Sequence, residues 1–250
     1  PARPRRANLP SEEPTMSDPP RVRLIDLQNP FADLEGMCEI LLVRHGEQAI
    51  FSNISLGDAY DAPLSDLGQQ QVAAVAERLQ SEEIHAVYAS PLQRAHDTGR
   101  AIGAAHGLDP TVIDDLREID LWQDAPQEKG LRDLYDRDQL AAIYREVNQT
   151  RNFSSFPHTE LPDLFKQRVI SALDAIVARH HGHRVAVACH GGVINAVLSE
   201  LLASDVDNLI PVHHTSVTRV RAAGSRRVVL SVNDYAHVHS VQTARGDVNA

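Results

Sequence analysis

The sequence has no run of about 18 apolar residues and no signal-peptide apolar core near its start. That excludes a helical span and a membrane partner, and it sets the expectation of a cytoplasmic protein. Positive charge is in deficit. Lys and Arg number 24 against 34 Asp and Glu, a net charge of −10, which argues against a nucleic-acid partner and confines any anion site to a local basic pocket. Cysteine is scarce, with only Cys38 and Cys189. Placed near the start of one strand and the end of its neighbour, the two sulfurs would lie about 20 Å apart at roughly 3.3 Å per residue, so free thiols are expected. No Cys-x-x-Cys pair, no Gly-x-Gly-x-x-Gly after a strand, no Gly-x-x-x-x-Gly-Lys loop and no internal repeat is present, so nucleotide folds lack their marks. The run Arg179-His180-His181-Gly182-His183 has no carboxylate or thiolate at ligand spacing. It reads as a helix C-terminus that welcomes positive charge rather than a metal site.

Proline, by contrast, is concentrated at one end. Seven of the 14 prolines precede Phe31, too many for regular structure, so residues 1 to about 20 are expected to be disordered and 1–36 to form a loosely packed extension. Arg3, Arg5 and Arg6 raise a nucleic-acid arm or a targeting peptide, but Glu12, Glu13 and Asp18 offset them, which favours a solvated linker or cloning remnant. Met37, directly before the first strand, is a candidate native start, although 21–33 holds enough apolar residues to pack on the domain. Residues 37–250 suit a single domain.

Within that domain the chemistry gathers at strand ends. Four apolar residues, Ile40 to Val43, read as a buried strand that runs into Arg44-His45-Gly46-Glu47. In an open α/β sheet ligands sit at the carboxyl ends of strands. Arg44 there offers a fork of donors suited to phosphate, His45 a nucleophilic ring nitrogen, and Gly46 close backbone approach to a ligand. A basic surface turn is the competing reading of these four residues. An irregular stretch follows from Gln48 to Ala62, then a helix capped by Ser65 with Val72, Val75, Ala76 and Leu79 on one face. Ala86 to Ala89 reads as a second strand and Pro91 as part of a first helical turn, which puts Arg94 at another strand-to-helix junction. Leu116-Arg117-Glu118 follows a short Val112-Ile113 strand and, taken alone, reads as a solvated turn. Residues 122–160 form a helical, lid-like insertion holding five of the 11 aromatics, Trp122, Tyr135, Tyr144, Phe153 and Phe156. These either line a substrate pocket or pin the insertion to the domain. A helical stripe from Phe165 to Val177 leads to a strand from Arg184 to Ala188, which Cys189-His190-Gly191-Gly192 breaks before a buried helix. The pattern at His45 thus repeats at His190. Ser216 to Val220 and Arg227 to Val232 read as two further strands.

Five motifs in order resemble the histidine phosphatase superfamily, also called phosphoglycerate mutase-like. They are Arg44-His45-Gly46, Leu64 to Gln71, Ser90 to Thr98, Leu116-Arg117-Glu118 and His190-Gly191-Gly192. The resemblance implies a three-layer α/β/α sandwich around a mostly parallel sheet, with no metal and no cofactor. It also implies roles. His45 attacks phosphorus and becomes phosphohistidine, while Arg44, Arg94 and His190 bind the equatorial oxygens. Glu118 protonates the leaving alkoxide and then activates water, which calls for a partly desolvated cleft. His45 must be neutral to attack, a form that neighbouring arginines favour and that a backbone carbonyl on its other nitrogen would orient.

Departures from the family pattern bear on the substrate. Thr and Asn often stand four and seven residues after the family's Arg, and here those positions are Gln48 and Phe51, leaving Asn53 to replace the amide. His-Gly-Gly in place of His-Asp resembles the mutase and small-phosphatase branch more than the acid phosphatase and phytase branch, and the lack of a mutase-type insertion then favours a small phosphatase acting on a small or bulky organic phosphate. A phosphomutase and an inactive binding module of the same fold are the alternatives. Gly191 and Trp122 are further candidate contacts, as is the region of Ser90 and His96. Trp122, Tyr135 and Tyr144 would suit a bulky ester, and Arg117, Arg132 and Arg145 a second anionic group. The partner is a small-molecule phosphate ester, and a homodimer is left open.

Overall fold

The strand Cys38–Arg44 (β1) is buried over its first six residues, as a strand of continuous apolar character covered on both faces must be. The computed structural model describes residues 36–50, 54–224, 226–239 and 241. The extension expected over 1–36 therefore lies, except for Gly36, outside the described residues, and so does Asn53. After β1 come helices Leu56–Tyr60 (α1) and Asp66–Leu79 (α2), strand Ala86–Ala89 (β2), helix Gln93–Ala104 (α3) and strand Thr111–Val112 (β3). Helices Leu131–Leu134 (α4), Arg137–Thr150 (α5) and Pro162–Arg179 (α6) precede strand Arg184–Cys189 (β4), helix Gly191–Leu201 (α7) and strands Val217–Ala223 (β5) and Arg226–Asp234 (β6).

Among the described residues the strands form one six-stranded sheet in the order β3-β2-β4-β1-β5-β6. Strands β1 to β4 pair in parallel, and β5 is antiparallel to both of its neighbours. Alternate residues of β1 feed two cores. Ile40 and Leu42 pack with Phe165 and Val169 of α6 and Val193 and Ile194 of α7, while Leu41 and Val43 pack with Val75 and Leu79 of α2 and Ile102 of α3. This is the expected α/β/α sandwich. Ser65 caps α2 as read from the sequence, its side chain accepting the Gly68 N–H at 3.0 Å. Cys38 and Cys189 are free, at opposite ends of their adjacent strands, and burial pushes the Cys38 thiol up to about 11.

Three expectations need correction. Pro91 stands before α3 rather than in its first turn, because Leu92 is the capping residue and holds an extended backbone. The stretch after Gln48 is not wholly irregular, since Ser55 caps the short helix α1. The basic helix end read over 179–183 holds for Arg179, in the last turn of α6, and not for His180. Burial, then His183, His85 and Arg179, lower its pKa, and its Nε2 pairs with the Tyr88 hydroxyl at 2.8 Å.

The end of β1 away from His45 carries an ion-pair network. Glu39, 7 % exposed in its side chain, meets Arg184 of β4 at 3.2 Å, Arg219 at 3.1 Å and Arg221 at 2.9 Å, and Glu82 holds Arg184 at 2.7 Å. Burial alone would raise the Glu39 pKa, but the hydrogen bonds and charges of Arg184 and Arg221 outweigh it and hold it below the ordinary value. Glu39→Ala strands three guanidinium groups, of which Arg184 and Arg219 retain Glu82 and all keep partial access to water. The expected cost is about 3 kcal/mol, the lower end for a broken buried pair, measurable by urea unfolding at pH 7. Because the folded-state pKa is depressed, this contribution is complete above the ordinary glutamate range and disappears as pH falls through the folded value. The gap between wild type and variant should therefore close in acid.

Candidate active site

Because β1 and β4 are parallel neighbours with Arg44 opposite Cys189, the residues after each strand emerge side by side. His45 donates its backbone N–H to the Cys189 carbonyl at 2.9 Å, and the His45 and His190 rings lie 5.1 Å apart. Both imidazoles are buried. The Nδ1 of His45 donates to the Gly46 carbonyl at 2.7 Å, leaving Nε2 as the basic nitrogen, and Arg94 Nε donates to Nε2 at 3.1 Å. Arg94 also donates through Nη1 to the Tyr60 carbonyl at 2.6 Å. Arg44 donates through Nη1 to the Val212 carbonyl, whereas its Nε is buried without a partner among the described residues. His190 pairs through Nε2 with Ser90 Oγ at 2.8 Å, and its Nδ1 is likewise buried and unpaired among them. Burial, then His190, Arg94 and Arg44, hold the His45 pKa well below the ordinary imidazole value, against the pull of the Gly46 carbonyl. Burial followed by Arg94, Arg44 and Arg168 does the same to His190.

The motif Leu64 to Gln71 proves to be the clamp on the 44–47 turn. Gln71 Oε1 accepts the Glu47 N–H at 2.9 Å, and Ser65 donates to the Glu47 carboxylate at 2.7 Å. Gly46 also serves this packing, since a Cβ there would lie 2.5 Å from the Gly68 carbonyl oxygen. Thr98, one helical turn after Arg94, donates to the Arg94 carbonyl at 2.7 Å and accepts the Gly46 N–H at 3.3 Å. The spacing from Arg94 to Thr98 thus ties α3 to the same turn.

Glu118 is partly buried, not a solvated turn. Its Oε2 accepts the Gly192 N–H of α7 at 3.1 Å and its Oε1 the Ile119 N–H at 3.0 Å. Arg168 of α6 fixes the turn by donating to the carbonyls of Asp115 at 2.7 Å and Arg117 at 2.9 Å, and Tyr60 donates its hydroxyl to the Glu118 carbonyl at 2.7 Å. Gly191 opens α7, where a Cβ would stand 3.7 Å from Arg44 Nε.

Arg94 and Glu118 also line a cavity of about 560 Å³, together with Trp122, Leu131, Arg132 and Tyr144. The aromatics of 122–156 therefore divide. Trp122 and Tyr144 line the cavity, Tyr135 packs on Trp122 with centroids 5.7 Å apart, and Phe153 and Phe156 join the core. Of the three arginines singled out from the sequence, only Arg132 lines this cavity.

Sequence reasoning passed over Arg168 and His214, and it reached Tyr60 only as part of the loop from Gln48 to Ala62, a candidate ligand contact by its length. The His214 ring lies 5.7 Å from His45, and burial, then Arg44, His213 and Arg94, push its pKa down to about 3. It is carried by a strained turn. Thr215, a β-branched residue, has φ 55° and donates its N–H to the Arg44 carbonyl at 3.0 Å. The adjacent histidines of 213–214, set between an apolar helix and a strand, were the available signal.

The family model of the histidine phosphatase superfamily (branch 1) matches residues 40–235. A metal-independent phosphoserine phosphatase from Arabidopsis thaliana is 33% identical over 81% of this chain and 84% of its own length. Phosphoglycerate mutase-like protein 4 of the same plant is 32% identical over 64% of this chain and 69% of its own. The solved structure of a mycobacterial glucosyl-3-phosphoglycerate phosphatase superimposes with a TM-score of 0.65 at 25% identity, over 78% of this chain and 98% of that one. On sequence and fold together, the chain belongs to the histidine phosphatase superfamily.

Proposed function

We propose that this protein is a metal-independent phosphomonoesterase of small-molecule phosphate esters, working through a phosphohistidine at His45. The observation that carries the reading is a basic imidazole nitrogen, His45 Nε2, set among two buried donors that have no acceptor among the described residues, Arg44 Nε and His190 Nδ1. A phosphoryl group bound there supplies the acceptors. Arg94 Nε leaves the imidazole for a phosphoryl oxygen, exchanging a neutral acceptor for an anionic one, so that both partners of the bond are charged. The freed Nε2 attacks phosphorus, an N–P bond forms as the ester P–O bond breaks, and Glu118 gives its proton to the leaving alkoxide. The resulting carboxylate takes a proton from water as the water oxygen attacks phosphorus and the N–P bond breaks, which releases inorganic phosphate. Arg44, Arg94 and His190 face charge spread over the phosphoryl oxygens, so no step calls for a metal ion.

The test is phosphate release from p-nitrophenyl phosphate in excess EDTA, with trapping of an alkali-stable phosphoenzyme. Chelator-resistant release with label on His45 is expected. Transfer between phosphoglycerate isomers without free phosphate would identify a mutase, and binding without turnover would reduce the site to a binding module.

A pH effect follows from the low His45 pKa. An ordinary imidazole would lose its nucleophilic form as pH falls through about 6.5. Here kcat/KM, once the ionisation of the substrate phosphate is divided out, should hold its plateau below that value. An inflection in the ordinary imidazole range that disappears in His45 variants of residual activity would contradict it.

A further inference from the structure

The cavity that contains Arg94 and Glu118 is walled by side chains the reaction does not use. Ile54 and Leu56 come from the α1 region, Leu121 and Trp122 from the segment after Glu118, Leu131 from α4 and Tyr144 from α5. Backbone bonds join the α1 region to the 127–129 segment just before α4, with the Leu56 N–H donating to the Lys129 carbonyl at 2.8 Å and the Gly57 N–H to that of Gln127 at 3.0 Å. The wall is thus built, not a chance gap between loops. At about 560 Å³ the space lies within the range that holds drug-sized ligands, well beyond a bare phosphate.

Charge in this wall is uneven. Asp120 is half-buried, and one of its oxygens accepts the Trp122 N–H at 3.0 Å. Burial raises its pKa, opposed by that hydrogen bond and assisted by Glu160. Asp133 lines the same space and accepts the Gly130 N–H at 2.9 Å. Arg132, the remaining cation there besides Arg94, is exposed, where water and salt screen its attraction. A leaving group with its own carboxylate would set a second anion beside Asp120 and Asp133 and against apolar side chains, whereas a neutral apolar one would meet those apolar side chains without the repulsion.

We infer that the substrates are phosphomonoesters whose phosphate is the only anionic group and whose leaving group is sizeable and apolar, with Trp122 supplying the apolar contact and Asp120 excluding leaving groups that carry a carboxylate. This rests on the phosphatase reading and deepens it. The site therefore stands downstream of a reaction that phosphorylates an apolar alcohol, and it returns that alcohol.

The experiment compares hexyl phosphate, methyl phosphate and 6-phosphooxyhexanoate, the last differing from hexyl phosphate by a terminal carboxylate. In wild type, kcat/KM for hexyl phosphate should exceed each of the other two by about tenfold or more. Trp122→Ala should shrink the hexyl-to-methyl ratio about tenfold, and Asp120→Asn should shrink the hexyl-to-carboxyhexyl ratio by a similar factor. A purely structural role for either residue would lower all three substrates together and leave the ratios fixed, and that result overturns the inference, as does a wild type that prefers the carboxylate. Binding is read separately. Trp122 is the single tryptophan of the chain, so its fluorescence follows titration with hexylphosphonate and with 5-carboxypentylphosphonate. Preferential binding of hexylphosphonate without turnover of any ester would sink the phosphatase reading and leave the pocket's preference standing. Turnover with equal binding of the two phosphonates would do the reverse.

Discussion

His45→Ala should lower kcat for p-nitrophenyl phosphate by roughly 10⁴-fold or more, the scale seen when an enzyme loses its attacking group. The size follows from how little else in the site can form a bond to phosphorus. His190 is the nearest second imidazole, but its Nε2 is committed to Ser90. Its Nδ1, if it is to donate to phosphate, carries the proton and has no lone pair to offer. His214 lies 5.7 Å from the His45 ring, carried on a separate turn. The remaining donors should still hold the phosphoryl group, so inorganic phosphate should inhibit p-nitrophenyl phosphate turnover by wild type and protect the variant against thermal unfolding to a similar degree. Binding retained with turnover lost distinguishes a missing nucleophile from a collapsed site, and His45→Asn, closer in size to the imidazole, checks that the cavity left by alanine is not the cause. A variant keeping activity within about tenfold of wild type would remove His45 from the mechanism.

Much of this site was legible because each reactive group stands where one element ends and another begins. Arg44-His45-Gly46 and His190-Gly191-Gly192 each follow a short apolar run, so their placement at carboxyl ends of strands could be read directly. That the two ends are neighbours could not, since strand order depends on how helices cover both faces of the sheet. Glu118 was ambiguous for the same reason. In sequence it is one acid in a polar turn, and only the approach of α7 and Arg168 distinguishes it from a solvated carboxylate. The motif from Leu64 to Gln71 carried the resemblance without disclosing its task, because Gly68 and Gln71 act on the backbone of Glu47 from the opposite side of the turn. His214 carried no signal beyond its adjacency to His213, because it sits on the connection between α7 and β5, where no periodicity operates and a positive φ at Thr215 directs the chain. The insertion held both of its readings at once. Its aromatics are divided between core and cavity by the positions of α4 and α5, which polar composition does not specify.

Gly192→Ala should leave the fold nearly intact and still cost roughly 10²-fold in kcat for an alkyl phosphate, within the usual worth of a positioned proton donor. A Cβ at this position would overlap Oε1 of Glu118 and stand 3.2 Å from its Cδ. What it meets is the far end of a flexible side chain, so the carboxyl group can swing aside at little cost to stability. At Gly68, by contrast, a Cβ would run into the Glu47 carbonyl, backbone that cannot move without dragging the His45 turn. The Gly192 variant therefore separates stability from chemistry. Its methyl group expels Glu118 from the place where the Gly192 N–H at 3.1 Å holds it, and with it the proton that the leaving alkoxide needs. Leaving-group dependence gives the signature. p-Nitrophenolate departs without protonation, so formation of the phosphoenzyme from p-nitrophenyl phosphate should suffer far less than formation from hexyl phosphate. Glu118→Ala should show the same split, and the double variant should be no slower than Glu118→Ala alone, because the two changes remove one function. A double variant slower by the product of the single effects would mean that Gly192 acts on the reaction independently of Glu118.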